Sequence, residues 1–134
     1  MFREVAKTFV SMLNRSDFEG ARRVLAPHCV YEMREDLLVG PDAILASYRG
    51  SDDLARGTLD FIQYESHVRE TPSSWAIGYI DRIQHEGKSL VHRCKQIVEI
   101  GVHGLIERIV HCDLPGEVEA LNSFFKEVGI SRDS

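Results

Sequence analysis

Asp81, His92 and Asp113 are residues whose types and spacing could carry acid–base chemistry. Glu86-Gly87 reads as the centre of a two-residue hairpin loop, which pairs His85 with Lys88. Counting outward sets Asp81 opposite His92, Tyr79 opposite Cys94, and Ile77 opposite Gln96. Gly101–Gly104 reads as a second turn, pairing Ile100 with Leu105. That register expects Gln96 opposite Ile109, Cys94 opposite His111, and His92 opposite Asp113. His92 would then stand between two carboxylates on neighbouring strands. A carboxylate beside an imidazole sets its tautomer and stabilises its charged form, so a raised His92 pKa is expected. In that arrangement His92 is the acid–base group, and Asp81 and Asp113 orient it. The same three residues also fit an end of the sheet that is open to water, as solvated ion pairs. Cys94 facing His111 could be a nucleophile and its base, or Cys94 could be a small buried hydrophobe.

The alternation of side chains separates two faces. Arg82, Arg93, Lys95 and Glu99 share one, which reads as solvent-facing. The other carries Trp75, Ile77, Tyr79, Asp81, His92, Cys94, Gln96, Val98, Ile109, His111 and Asp113. Aromatic and aliphatic walls with a few polar groups suit a pocket for a small apolar molecule. Tyr79, Gln96 and His111 would hydrogen-bond such a substrate. Phe9, Tyr31, Met33, Trp75 and Cys94 would complete the wall. A slip of one residue at either turn would exchange the faces.

The elements that must position these groups follow from periodicity. Phe2, Val5, Ala6, Phe9 and Leu13 recur at helical spacing over residues 2–14. Ser16 and Glu19 form a capping box that predicts a helix through Ala26, ended by Pro27. Cys29–Arg34 reads as a strand. Gly40-Pro41 opens a third helix to about Tyr48, with Ser51–Arg56 as a further turn between Gly50 and Gly57. The period then changes to two, predicting strands over Phe61–Glu70, Trp75–Gln84, Ser89–Ile100 and Leu105–Leu114. A last helix spans about 116–128, with Val118, Leu121, Phe124, Phe125 and Val128 as its apolar stripe and Gly129 as its cap.

The length of 134 residues fits one domain, 1–134, able to bury a core without disulfides or metals. The net charge of −5 with scattered cations argues against nucleic acid or an anionic membrane as partner. Cys29, Cys94 and Cys112 are too widely spaced for a zinc site and fit reduced thiols. No apolar run reaches the ~18 residues of a membrane span, and charges interrupt the N-terminal apolar positions. A cytoplasmic protein is expected.

Helices followed by a strand meander make an α+β layout with helices on one face of a bent sheet. Leu13-Asn14-Arg15-Ser16-Asp17-Phe18-Glu19-Gly20-Ala21, followed by Leu25-Ala26-Pro27-His28-Cys29-Val30-Tyr31-Glu32, resembles the opening of the nuclear-transport-factor-2-like, or SnoaL-like, superfamily. The Gly40–Ile44 helix start and the Gly104–Ile106 turn are similar to it too. The resemblance implies a strongly curved mixed sheet wrapped round N-terminal helices, a cone with an internal pocket. It also implies a homodimer through the outer sheet face, where Ile80, Val91 and Ile97 lie among charges. Ketosteroid isomerases of the superfamily use a tyrosine and two aspartates where this chain has Phe9, Met33 and Gln96. Its epoxide hydrolases need an Arg-x-Asp pair, and the equivalent His92-Arg93-Cys94 places arginine on the wrong face. The resemblance therefore carries a pocket without either catalytic set. Two readings stand: a cofactor-independent isomerase, dehydratase or cyclase, with no metal implied, and a non-catalytic binding or dimerisation module.

Overall fold

A computed structural model describes residues 2–130. The elements are α1 (Phe2–Asn14), α2 (Phe18–Arg22), β1 (Leu25–Met33), β2 (Asp36–Val39), α3 (Pro41–Thr58), β3 (Phe61–Glu70), β4 (Trp75–His85), β5 (Lys88–Ile100), β6 (Ile106–Asp113) and α4 (Glu117–Glu127). The strands make one six-stranded sheet in the order β2-β1-β6-β5-β4-β3. β1 and β6 run parallel; the other neighbours are antiparallel. Helix α3 touches β1 and β2 at one side of the sheet and β3 at the other, while α1 packs on β3 and β4. A helix reaches both sides of a sheet when the sheet bends round it, so the α+β cone is present.

The apolar stripe of α1 places Ala6, Phe9, Val10 and Leu13 in the core, against Ile77, Val98 and Ile109 from the inner sheet face. A second cluster joins Leu59, Ile83, Phe124 and Val128, with Leu121 and Phe125 packed beside them. Helix α4 therefore docks on the body. Among the described residues no helix is long and apolar enough to cross a membrane.

Glu86 and Gly87 both have positive φ, 49° and 77°, as a two-residue hairpin turn of the primed type requires. The β4–β5 register is the expected one: Asp81 faces His92, Tyr79 faces Cys94, and Ile77 faces Gln96. The β5–β6 register differs. Gly101 N–H bonds the Leu105 carbonyl, so the loop is one residue longer than expected and Ile100 pairs with Ile106. A bulge follows, because Glu99 pairs with Arg108 and Glu107 is left over. The two slips add. Every side chain keeps its expected face, yet each β6 residue meets a β5 partner two positions away from the expected one: Val98 faces Ile109, Gln96 faces His111, and Cys94 faces Asp113. The opposed Cys94–His111 and His92–Asp113 pairs are therefore corrected. β6 ends at Asp113, before it reaches His92.

Other expectations shift for local reasons. The α2 cap is Asp17, whose Oδ1 accepts from Gly20 N at 2.9 Å. Ser16, at φ 58°, turns its hydroxyl to Asp52 instead. Pro27 does not end that helix; it lies inside β1, where the ladder is irregular between Leu25 and Val30 and needs no donor from it. β2 was not expected, since Asp36–Val39 is a short edge strand with Leu37 and Val39 exposed. Helix α3 runs unbroken through Gly50 and Gly57, past the expected stop at Tyr48. Gly50 costs about 1 kcal/mol in the helix interior, and the buried, hydrogen-bonded Asp52 one half-turn on holds the helix there.

Phe124→Ala should cost about 3 kcal/mol and lower Tm by roughly 10 °C, because it empties the second cluster. An unchanged Tm in thermal unfolding would show that α4 contributes nothing to the fold.

Candidate functional site

The inner sheet face and the helices line a partly open cavity of about 310 Å³. Leu13, Asn14 and Phe18 close it from α1 and the start of α2; Ser47, Tyr48, Ser51 and Asp52 close it from α3. Tyr31, Met33 and Arg34 come from β1 and its turn, Tyr64 from β3, and Leu121 from α4. Tyr79, Asp81, His92, Cys94, Gln96 and His111 form the strand wall. A more open groove of about 500 Å³ lies between α1 and β3, bordered by Lys7, Arg15 and His67. It is a surface feature, and the chemistry-bearing side chains stand in the smaller cavity.

Gln96 organises one pole. It is 3% exposed, so its amide must find partners inside the protein. Tyr48 Oη donates to Gln96 Oε1 at 2.9 Å. Gln96 Nε2 donates to Tyr31 Oη at 2.9 Å and faces His111 Nδ1 at 3.5 Å. On its far side His111 Nε2 is 3.0 Å from Asp113 Oδ1. Asp113 is in turn gripped by Arg34, whose Nε reaches Oδ2 at 2.8 Å and whose terminal nitrogen reaches Oδ1 at 3.0 Å. An amide N–H facing Nδ1 and a carboxylate facing Nε2 select one neutral tautomer, with the proton on Nε2 and the Nδ1 lone pair turned inward. Burial would raise the Asp113 pKa, but the hydrogen bonds from Arg34 and His111 outweigh it and hold the carboxyl below its ordinary value. Burial pushes the Tyr31 phenol up to about 12, and Tyr48 is raised for the same reason. Both remain neutral donors.

The other pole is acidic. Asp81 lies in register with His92 and beside Tyr64 and Tyr79. Burial pushes its pKa up to about 6. Asp52 behaves oppositely. Burial would raise it, but donors at Ser16 Oγ (2.6 Å), Tyr64 Oη (2.9 Å) and Arg56 Nε (2.8 Å) bring it below its usual value. The Tyr79 hydroxyl is buried without a hydrogen-bond partner.

Of the residues expected at the site, Tyr31, Met33, Tyr79, Asp81, His92, Cys94, Gln96 and His111 line the cavity. Asp113 does not line the cavity; it stands behind His111, bonded to its Nε2. Phe9 is fully buried against the Tyr48 ring, and Trp75 is half-buried beneath Arg3, so neither reaches the cavity. Burial pushes the Cys94 thiol up to about 12, reinforced by Asp81 and Asp113, which removes it as a nucleophile at neutral pH. Sequence reasoning missed Tyr48, Asp52, Tyr64 and Arg34. Tyr48 lay at an assumed helix end, Asp52 beyond it, and Arg34 in a turn. Tyr64 could have been found by carrying the strand alternation one hairpin further. Among the described residues no three His, Cys, Asp or Glu side chains gather as a metal ion would require.

No protein-family model and no curated protein matches the sequence. Solved structures do match. An NTF2-like protein of unknown function from Cytophaga hutchinsonii is 14% identical, with 89% of this chain and 95% of that one covered at a TM-score of 0.63. A protein of Xanthomonas campestris pv. campestris, provisionally named a polyketide cyclase, is 13% identical, with 95% and 96% covered at 0.69. The fold is NTF2-like. A de novo designed protein with a curved β-sheet also matches, at 17% identity, 94% and 95% coverage and a TM-score of 0.64. Likeness of fold therefore carries no chemistry by itself, which has to be argued from the residues inside the cavity.

In this NTF2-like cone the raised Asp81 has a consequence for stability. Its folded pKa of about 6 exceeds the ordinary 3.8, so ionising it opposes folding. The cost is absent below the lower value and complete as pH rises through the higher one. Asp81→Asn should therefore stabilise the protein by up to about 3 kcal/mol near pH 8 and by only about 1 kcal/mol near pH 4.5. Urea unfolding at both pH values checks this, and an equal effect at the two would contradict it.

Proposed function

We propose that the cavity holds a small, largely apolar molecule and that His111, oriented by Asp113, moves a proton to or from it. The observation that carries the reading is the fixed imidazole: Nε2 held 3.0 Å from Asp113 and Nδ1 turned towards Gln96 and the cavity. A base placed so needs no further rotation to act. The Tyr31 hydroxyl beside it, which accepts from Gln96 and meets only the Met33 sulfur as a donor, can donate to a substrate oxygen that gains charge as the proton leaves. This fits an isomerisation, dehydration or cyclisation, and the provisional name of the Xanthomonas neighbour points the same way. The role first expected of His92 passes to His111, since Asp113 bonds His111. His92 stays on the wall, facing Asp81.

The test is deuterium exchange next to a carbonyl, followed by NMR for a panel of small cyclic ketones in heavy water. The protein should accelerate exchange for at least one ketone, and His111→Ala should lower that rate by about 100-fold or more. Ketones that bind without any acceleration would support the binding-module reading instead.

We further propose that two copies pair through the outer sheet face. Ile80, Val91 and Ile97 are half-buried there among Arg82, Arg93 and Lys95, a mixed surface suited to self-association. Sedimentation at micromolar concentration should give a dimer, and Ile97→Lys should give a monomer. A wild-type monomer would contradict the pairing.

A further inference from the structure

We infer that the acidic pole of the cavity is a subsite for a protonated amine, carried on a small ring-sized body, with Asp81 as its counter-ion. The inference rests on the proposed function only in taking the cavity as a ligand site; it does not require His111 to act.

Three observations carry it. First, the charges on the wall are unequally served. Asp52 receives Arg56, Ser16 and Tyr64, and Asp113 receives Arg34 and His111. Among the described lining residues the one guanidinium is Arg34, already committed to Asp113, and none is a lysine. No arginine or lysine among the described wall residues is left for Asp81. Second, Tyr79 lines the same cavity, and its hydroxyl is buried without a hydrogen-bond partner. Third, two tyrosines, Tyr64 and Tyr79, neighbour the carboxylate. Tyr64 from β3 stands directly across from Asp81, with its hydroxyl spent on Asp52. An ammonium group has what these groups lack: positive charge for the carboxylate, N–H donors for the Tyr79 oxygen, and attraction to ring faces.

The titratable neighbours define the competition. Tyr64 on β3, Tyr79 on β4, His92 and Cys94 on β5, and Asp52 on α3 share this part of the cavity. Of these only His92 could supply a positive charge. A charged His92 would serve Asp81 itself, and the amine would then have no advantage. A cavity of about 310 Å³ admits one ring and a short side chain, so the partner is small. The burial that raises the Asp81 pKa is a standing stability cost, which a bound cation would relieve.

The experiment compares three probes of one shape: phenethylamine, 2-phenylethanol and phenylacetate. Each is titrated into the full chain by NMR or calorimetry near pH 8. The amine should bind roughly tenfold or more tighter than the alcohol, and phenylacetate weakest. Asp81→Asn should erase the amine's advantage and leave the alcohol unchanged. In the wild type that advantage should fade as pH drops below about 6, where the carboxyl takes up its proton. His111→Ala should keep it, which separates this result from failure of the proton-transfer reading. Equal binding of amine and alcohol, or an advantage that survives Asp81→Asn, would overturn the subsite.

Discussion

A single buried amide fixes the geometry of this protein's interior. Gln96 lies in the middle of β5, and a buried primary amide left unsatisfied would cost on the order of 1–3 kcal/mol. Its partners come from three other elements: Tyr48 from α3, Tyr31 from β1 and His111 from β6. The requirement thus reaches across the cone, from the long helix to the strands on the far side. The Tyr31 and Tyr48 rings meet edge to face at 5.4 Å, which locks both hydroxyls near the amide. Because the amide presents a donor to His111, the imidazole tautomer follows from it, and so does the side of the ring that Asp113 can hold.

The cavity's carboxylates show how environment separates identical groups. Asp52 and Asp113 are ringed by donors and sit below the ordinary range, whereas Asp81 is desolvated and sits near 6. Carboxyl groups pushed apart in this way within one cavity make it a functional-site candidate. Here the separation runs along the cavity. The end with Gln96, His111 and Asp113 is the one proposed to move a proton, and the end with Asp81, Tyr79 and Tyr64 the one proposed to recognise charge.

Much of this was legible from residue spacing. The Glu86-Gly87 turn set the β4–β5 register, and with it the inward placement of Tyr79, Asp81, His92, Cys94 and Gln96. The α1 stripe and the α4 stripe were equally plain. The dyad was not legible, for a physical reason. Its register depended on a loop one residue longer than its glycines suggest and on a bulge at Glu107, and a bulge leaves no mark in hydrophobic alternation. Since the two slips restored the face, the right side chains were found in the wrong pairs. Tyr48 and Asp52 were lost differently: Gly50 lowers local helix propensity, and the packing that overrides it is tertiary.

The central claim is that Gln96 on one side and Asp113 on the other fix the His111 ring, with Nδ1 facing the amide and Nε2 facing the carboxylate. Long-range proton–nitrogen correlation spectra of the His111 ring test it directly, since the two tautomers give distinct nitrogen shifts. The account predicts the Nε2–H tautomer in the wild type at mildly alkaline pH, and its loss or mixing in Asp113→Ala. A His111 ring protonated on Nδ1, or one rapidly averaging between tautomers in the wild type, would contradict it.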